Sequence, residues 1–406
     1  MATAAAAHTI EPPAGGRMKE RKNVGRLLSL CTTFLLACAW LPSVASPGID
    51  DRLRALMAEH GTVGLAVVVV RDNAVVHRSS LGWKDLEREI PLDEDDVFRI
   101  ASISKSFAAT AVMQLVEQGR LSLDDDAGDL IGFPVRNPAY PDRPITLRML
   151  MNHTSSITDG THYGSLDVID PRTGGAWRDS YADRAPGERY EYSNLGYNMV
   201  GAIVERASGE RFDAYVRRHV LEPLGLYGGH LVDALDEGRF ARLYRWREDQ
   251  GFVRSDQAYL PLGPRLDTHV IGKDAPVFSP TGGLKISAAD LATWMLVHMN
   301  HGTWNGVRII SAEHARAMQS PTVTIDATSA YGLGLRTERA LLPGVELTGH
   351  TGSAYGLYSS MFFDVEKKYG FVVITNGTRD MRVRDEVNGA LHEHFITGAG
   401  SLPPEE

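Results

Sequence analysis

The sequence predicts an α+β protein: an antiparallel β-sheet flanked by helices, with a mainly helical lobe attached. Two observations support this fold class. β-branched segments with short polar turns lie near both ends, at residues 64–79 and 359–375, whereas residues 100–260 contain helical patterns separated by loops rich in Gly, Pro, Asp and Arg. One sheet built from both ends of the chain, with a helical insertion between them, accounts for this distribution.

The first 45 residues have the pattern of a secretory signal segment. Five Lys and Arg residues precede an apolar run at residues 27–41, and small residues suit cleavage near Ala45. The apolar run is too short for a secure membrane span. We therefore expect a periplasmic or secreted protein. The alternative is a lipoprotein attached to a membrane through Cys38, because residues 35–38 loosely resemble a lipoprotein box.

Charge and cysteine positions argue against several classes of function. The net charge is -9 and no Lys/Arg run follows the N-terminal region, so no nucleic-acid partner is expected. Both cysteines, Cys31 and Cys38, lie in the predicted signal segment, so the mature chain would contain no disulfide or Cys-ligated metal. His153, His162 and His230 lack the helical spacing of a metallohydrolase site. We expect no metal and no cofactor.

Residues 46–406 are expected to form one catalytic unit with two lobes. The sheet lobe is assigned to about residues 46–100 and 285–400, and the helical lobe to about residues 101–284. A cleft would lie where the lobes meet, and clefts of that kind often hold active sites.

Hydrophobic periodicity predicts the individual elements of these lobes. In chain order they are a helix over Ile49–His60, a hairpin of strands 64–70 and 74–79, helices over residues 104–118 and 196–208, a hairpin of strands 359–364 and 369–375, and a helix over residues 384–395.

Ser102 and Lys105 are the first residues that could carry chemistry. They lie three residues apart at the start of the predicted helix 104–118, so their side chains project to the same side. An amine whose pKa is lowered by burial can take the proton of a hydroxyl group, and a helix N-terminus favours a developing oxyanion. The alternative is an N-cap serine followed by a solvated lysine.

Tyr192 and Asn194 form the second candidate. A tyrosine phenol can act as a general acid or base if nearby cations lower its pKa. The Asn194 side chain offers a donor and an acceptor to an amide substrate. The alternative is a packed loop tyrosine followed by an asparagine that caps the next helix.

Residues 349–353, Gly-His-Thr-Gly-Ser, form the third candidate, just before the second hairpin. Gly352 would let a substrate lie close against the strand backbone. The backbone N–H groups of Ser353 and Ser102 could then stabilise an oxyanion. The alternative is a strand end with His350 on the surface.

The order of these three motifs resembles that of the penicillin-recognising serine hydrolases. Within them, the similar branch contains class C β-lactamases, D,D-peptidases and β-lactamase-like esterases. The resemblance covers about residues 50–395. Further segments that agree are residues 98–105, 119–125, 150–155 and 279–284.

The resemblance implies a role for each motif residue. Ser102 looks like the nucleophile of an acyl-enzyme mechanism, and Lys105 like the residue that activates it. Tyr192 looks like the proton shuttle to the leaving group and from the deacylating water. Asn194 would form a hydrogen bond with the acyl side chain of the substrate. Thr351 and the strand around it would hold the substrate backbone or a carboxylate. The implied fold, a sheet flanked by helices with a helical lobe, agrees with the prediction from the residue pattern.

Two residues depart from the family pattern. His350 stands where efficient β-lactamases of this branch usually carry Lys, and a histidine with a pKa of about 6.5 is mostly neutral near pH 7. Ser156 stands where relatives commonly have Gly. The weaker attraction for a β-lactam carboxylate favours a D,D-peptidase-like enzyme that cleaves D-amino-acid peptide or ester bonds in small molecules or peptides. A β-lactamase-like carboxylesterase, a class C-type β-lactamase and a non-catalytic scaffold remain alternatives.

Overall fold

The structure is a computed structural model that describes residues 48–398. All of these residues belong to one unit of the chain, Ser46–Glu406. The predicted signal segment, with Cys31 and Cys38, lies outside the described residues. Within residues 48–398, no helix is both long enough and apolar enough to cross a membrane.

The strands of the described chain are mostly short, and the long ones lie near its two ends. In chain order they are β1 (Gly64–Arg71), β2 (Ala74–Asp85), β3 (Ile90–Pro91), β4 (Phe98–Arg99), β5 (Gly228–Gly229), β6 (Leu243–Arg247), β7 (Gly251–Ser255), β8 (Lys285–Ile286), β9 (Thr303–Trp304), β10 (Val307–Arg308), β11 (Val323–Thr324), β12 (Ser329–Tyr331), β13 (Arg336–Glu338), β14 (Leu347–Ala354), β15 (Leu357–Asp364) and β16 (Tyr369–Thr375).

Several short 3-10 turns lie among the helices, and one of them, Ala101–Ile103, leads into α2. In chain order the α-helices are α1 (Ile49–His60), α2 (Ser104–Glu117), α3 (Ala127–Ile131), α4 (Leu147–Met151), α5 (Asn194–Ser208), α6 (Phe212–Val216), α7 (Pro264–Asp267), α8 (Ala288–Met299), α9 (Ala312–Gln319) and α10 (Arg382–Phe395).

A nine-stranded sheet joins the two ends of the chain. Its strand order is β11-β12-β13-β14-β15-β16-β1-β2-β3, and every neighbouring pair is antiparallel. β1 therefore pairs with β2 on one side and with β16, from the far end of the sequence, on the other. This confirms the predicted fold class, an antiparallel sheet flanked by helices.

β1 is almost wholly apolar because helices cover both faces of the sheet at this strand. Successive side chains of a strand point to opposite faces. Val67 and Val69 belong to the apolar core that includes α1 and α10, whereas Ala66 and Val68 belong to the larger core that includes α2 and α8. The apolar run at residues 64–70 therefore contributes side chains to the apolar cores on both faces of the sheet.

The region between residues 101 and 284, predicted to be mainly helical, also contains the short strands β5, β6 and β7. β6 and β7 form a hairpin in which Leu243 pairs with Ser255. β8 pairs with both β4 and β5 in a separate three-stranded sheet. This small sheet links the segment before Ser102 to the segment that follows residues 279–284, and so holds two parts of the predicted site together.

Helix starts also differ slightly from the predicted ones. α10 begins at Arg382 instead of residue 384, and α5 begins at Asn194 instead of residue 196. The earlier start of α5 has a physical cause: the Oγ of Ser193 accepts a hydrogen bond from the N–H of Gly196 at 3.0 Å and caps the first turn.

Candidate active site

Ser102 lies between a short strand and a long helix. β4 pairs with β8, and the 3-10 turn Ala101–Ile103 then leads into α2. Ala101 has φ +50°, a left-handed conformation that costs a residue with a Cβ about 1–2 kcal/mol. Such a conformation persists only where the surrounding structure enforces it. The packing around this turn therefore holds Ser102 at the wall of the central cleft.

Lys105 is fully buried one turn after Ser102. Its Nζ lies 3.2 Å from the Oγ of Ser102, 3.0 Å from the Oδ1 of Asn194 and 2.8 Å from the carbonyl oxygen of Thr281. Burial holds the pKa of Lys105 well below its ordinary value, and the charge of Asp159 opposes this. A neutral amine has two N–H groups and one lone pair, and the two carbonyl oxygens occupy the N–H groups. The remaining position on the nitrogen faces the Oγ of Ser102.

The orientation of the Asn194 amide follows from its neighbour Asp159. The Nδ2 of Asn194 donates to the Oδ2 of Asp159 at 2.8 Å, and a carboxylate can only accept. The Oδ1 therefore faces Lys105, and it also accepts from the Oγ1 of Thr281 at 2.7 Å. Both ends of the amide are thus engaged within the protein, so the expected hydrogen bond to an acyl side chain would have to share these atoms.

Tyr192 lies against both Lys105 and a buried histidine. Its ring centroid is 4.6 Å from the Nζ of Lys105 and 4.4 Å from the ring of His153. Burial raises the pKa of Tyr192, and a hydrogen bond with Ser102 offsets this only partly. The lowering by cations that a basic role would require is not found, because the amine of Lys105 is itself desolvated. Tyr192 therefore keeps its proton over the middle pH range.

His350 lies on β14 with its side chain almost fully buried. Its Nδ1 lies 2.6 Å from the carbonyl oxygen of Thr351 and must donate to it, so the Nε2 accepts from the hydroxyl of Tyr331 at 2.9 Å. Burial, reinforced by Lys105, lowers the pKa of His350 to about 3. His350 is therefore neutral, and both of its ring nitrogens are occupied.

Gly352 contacts the segment that carries Ser102. A Cβ at Gly352 would lie 2.3 Å from the carbonyl oxygen of Ile100, 2.4 Å from the Oγ of Ser359 and 3.2 Å from the Cβ of Ala101. The Oγ of Ser359 also donates to the carbonyl of Ile100 at 3.1 Å. The glycine therefore lets the turn before Ser102 pack directly on β14.

The next residues of β14 have an open edge. β13 pairs with β14 only from Leu347 to Gly349, whereas Thr351, Ser353 and Ala354 line the cleft. An open strand edge presents unpaired backbone N–H and C=O groups to whatever lies beside it. This edge can therefore hold an extended backbone next to Ser102.

The predicted residues Ser102, Tyr192, Asn194, His350, Thr351 and Ser353 all line one cavity of about 320 Å³, with Lys105 and Gly352 buried against its wall. Two arginines line it as well. Arg99 donates to the carbonyl oxygen of Gly282 at 2.7 Å and to the Oγ of Ser279 at 3.1 Å. Arg336 pairs with Glu338, while its Nε is buried without a hydrogen-bond partner among the described residues.

The sequence indicated no role for five residues of this site: Arg99, Asp159, Thr281, Tyr331 and Arg336. Arg99 and Thr281 lie in the segments 98–105 and 279–284, which supported the resemblance. The other three had no signal in the sequence, because each acts through a partner distant in the chain or through the shape of the cleft. Only the fold brings them to the motif residues.

The histidines weighed as metal ligands have other surroundings. His153 is buried, and its Nδ1 accepts from the N–H of Ser193 at 3.2 Å, whereas His162 is exposed. Within residues 48–398, the histidine and carboxylate group close enough to share an ion lies elsewhere, on α1 and α10, and consists of Glu59, His60 and Glu386. None of its members lines the cleft.

Comparison with known proteins agrees with this geometry. A family model described as Beta-lactamase matches residues 49–394. Penicillin-binding protein 4 of Amycolatopsis lactamdurans is 30% identical over 337 residues, which cover 81% of this chain and 84% of that protein. Esterase EstB of Burkholderia gladioli is 31% identical over 270 residues, 61% of this chain and 66% of the esterase, slightly under two thirds. The octameric penicillin-binding protein homologue from Pyrococcus abyssi superposes with a TM-score of 0.70 at 25% identity, covering 86% of this chain and 77% of that one.

Proposed function

Since the chain belongs to the Beta-lactamase family of serine hydrolases, we propose that it hydrolyses D-amino-acid peptide or ester bonds through an acyl-enzyme on Ser102. We also propose that it is exported, with cleavage near Ala45 or, alternatively, with a lipid on Cys38. N-terminal sequencing and mass analysis of the protein recovered from cells would distinguish these two forms. A precursor retained whole in the cytoplasm would contradict export.

The observation that carries the proposal is the environment of Lys105. Its buried amine lies 3.0 Å and 2.8 Å from two carbonyl oxygens and 3.2 Å from the Oγ of Ser102. A neutral amine would give its two N–H groups to the carbonyl oxygens and turn its lone pair toward Ser102. A lone pair in that position can accept the hydroxyl proton as the serine attacks. This arrangement activates a nucleophile in a way that an N-cap serine followed by a solvated lysine would not.

The proposed reaction uses the residues in a definite order. The Oγ of Ser102 forms a bond to the substrate carbonyl carbon while its proton passes to Lys105. The N–H groups of Ser102 and Ser353 stabilise the oxyanion. The bond to the leaving amine or alcohol then breaks as Tyr192 donates its proton, which is replaced from Lys105. Water then loses a proton to the neutral amine of Lys105 as it attacks the ester carbonyl, and Lys105 returns this proton to the Oγ of Ser102 as the acyl group leaves.

The open edge of β14 supports a peptide-like substrate. An extended peptide beside such an edge gains backbone hydrogen bonds of the kind that strands make with each other. Thr351 and Ser353 line the cleft along this edge. The acyl group and leaving group would then extend along β14 on either side of Ser102.

Replacing Arg336 with glutamine is expected to raise KM about 10-fold or more for substrates with a free C-terminal carboxylate. The reason is that His350 is neutral, whereas Arg336 places a cation at the wall of the cleft, and a hydrogen bond to a charged group contributes about 1.5–3 kcal/mol. KM for matched substrates with an amidated C-terminus should stay the same. Arg339→Gln, which alters an exposed arginine paired with Glu346, is the control. Equal losses for both kinds of substrate would contradict this role.

An esterase of the β-lactamase-like type is the second candidate. The similarity to Esterase EstB and the absence of charge on His350 favour it, because an uncharged ester needs no cation in that position. Hydrolysis of short acyl esters with no reaction on D-amino-acid peptides would select this candidate.

The test of the proposed function is the intact mass of the protein during incubation with a penicillin, beside a Ser102→Ala variant. We expect a lasting adduct that the variant lacks. This result would identify Ser102 as the nucleophile and would indicate that deacylation is slow. Consumption of penicillin without an adduct would indicate a β-lactamase. If penicillin is untouched, ester turnover would support the esterase, and a protein inert to esters and peptides as well would support a scaffold.

A further inference from the structure

We propose that Asp159 is a positioning residue that fixes the Asn194 amide and thereby reserves the lone pair of Lys105 for Ser102. This inference rests on the function proposed above, in which Lys105 takes the proton of Ser102. Asp159 is then the fourth member of a hydrogen-bonded series that runs from Ser102 through Lys105 and Asn194.

The carboxylate of Asp159 is held at the first turn of α5. Its Oδ1 accepts from the backbone N–H groups of Asn194 at 2.6 Å and Leu195 at 3.0 Å, and its Oδ2 accepts from the Nδ2 of Asn194 at 2.8 Å. The first N–H groups of a helix have no partner within the helix, and its dipole favours a negative charge there. Asp159 is therefore fixed by backbone donors and can hold the side chain of Asn194 in one orientation.

That orientation decides what the Lys105 amine can do. With its oxygen toward Lys105, Asn194 accepts one of the two N–H groups of the amine, and the carbonyl of Thr281 accepts the other. If the amide were reversed, its NH₂ group would donate to the lone pair of Lys105. The lone pair could then no longer accept the proton of Ser102.

The negative charge of Asp159 also acts on the protonation of Lys105, since it raises the pKa that burial lowers. The other titratable groups around the amine stay uncharged over the middle pH range, because burial raises the pKa of the phenols and lowers that of the imidazoles. They are Tyr192, Tyr197, His153 and His350. Asp159 is thus the group whose removal should change the pH dependence of Lys105.

The test is the pH profile of acylation in Asp159→Asn. The new amide offers an NH₂ group where Asn194 needs an acceptor, so Asn194 is expected to reverse. We expect kcat/KM at the plateau to fall about 10²-fold. The acid limb should move to lower pH, because Lys105 must be neutral to act and loses the charge that raises its pKa. A purely structural role for Asp159 would not move this limb.

Two further variants make the test decisive. Asp183→Asn alters an exposed carboxylate in the following loop and should leave both quantities unchanged. If Asp159→Asn fails to fold, Asp159→Ser keeps a capping oxygen for α5 but removes the charge, and the acid limb is expected to move in the same direction. An unmoved acid limb in the folded variant would overturn the inference. If the wild-type protein forms no adduct on Ser102, both the proposed function and this inference are overturned. If the wild type is active and the Asp159 variants have the same pH profile and kcat/KM as the wild type, this inference alone is overturned.

Discussion

Replacing Lys105 with methionine is expected to lower kcat/KM by about 10³-fold while the protein remains folded. General base catalysis by a positioned side chain contributes about 10²–10⁴-fold, and no other amine lies within hydrogen-bond distance of Ser102 in the described residues. Methionine fills nearly the same volume, so the buried wall of the cleft should stay packed. Steady-state kinetics and thermal unfolding would measure the two effects separately.

The matched control is Lys285→Met. Lys285 is a second buried lysine whose Nζ donates to the carbonyl oxygen of His230 at 3.0 Å, away from the nucleophile. We expect this variant to keep its activity within about threefold, because its amine is bonded to the carbonyl of His230 and not to Ser102. In the wild type, kcat/KM should rise with pH through the pKa of Lys105, at a pH well below the ordinary range for lysine. Full activity of Lys105→Met would refute its role as base.

Replacing Gly352 with alanine should reduce both stability and activity. The added Cβ would lie 2.3 Å from a backbone oxygen, that of Ile100, which cannot move without the turn that carries Ala101 and Ser102. Overpacking of this kind costs about 1–3 kcal/mol, and a displacement of about 1 Å at a reacting group can cost about 10²-fold in rate. Chemical denaturation and acylation rates with a penicillin or an ester would measure these losses.

Gly389→Ala provides the comparison for Gly352→Ala. Gly389 lies in α10, and a Cβ there would have no atom within 4 Å. This variant should be more stable by about 0.5–1 kcal/mol, because alanine favours the helix, and its activity should not change. If the two variants had the same stability and activity, the close packing of β14 on the turn Ala101–Ile103 would not explain why residue 352 is glycine.

The fold class could be predicted from the sequence because both of its signals are local. β1 and β16 are apolar runs bounded by polar turns, and Ile49–His60 has its apolar residues on one face. The short strands β6 and β7 were missed among the helices, because Leu243–Arg247 has two buried residues followed by three exposed ones and lacks the alternation of a half-buried strand. Pairing partners such as β1 with β16 depend on contacts far apart in the chain.

Site residues that belong to a sequence motif could be predicted. Site residues that are defined only by a contact in the folded protein could not. Ser102, Lys105 and Tyr192 lie together as their motifs indicated. The surroundings of His350 were not predictable, because its pairing with Tyr331 arises from strand packing. Asp159 was missed for the same reason: it is 35 residues from the amide that it holds.

The pairing of β1 with β16 has a consequence for how the protein acquires its fold. β1 is made early during synthesis, yet one of its two neighbours in the sheet is among the last strands to be made. Contacts between such distant segments give a high contact order, and chains of this kind fold slowly because a large loop must close first. Until β16 is available, the edge of β1 stays open to wrong partners. The sheet can therefore be completed only when the segment that ends at Thr375 is present.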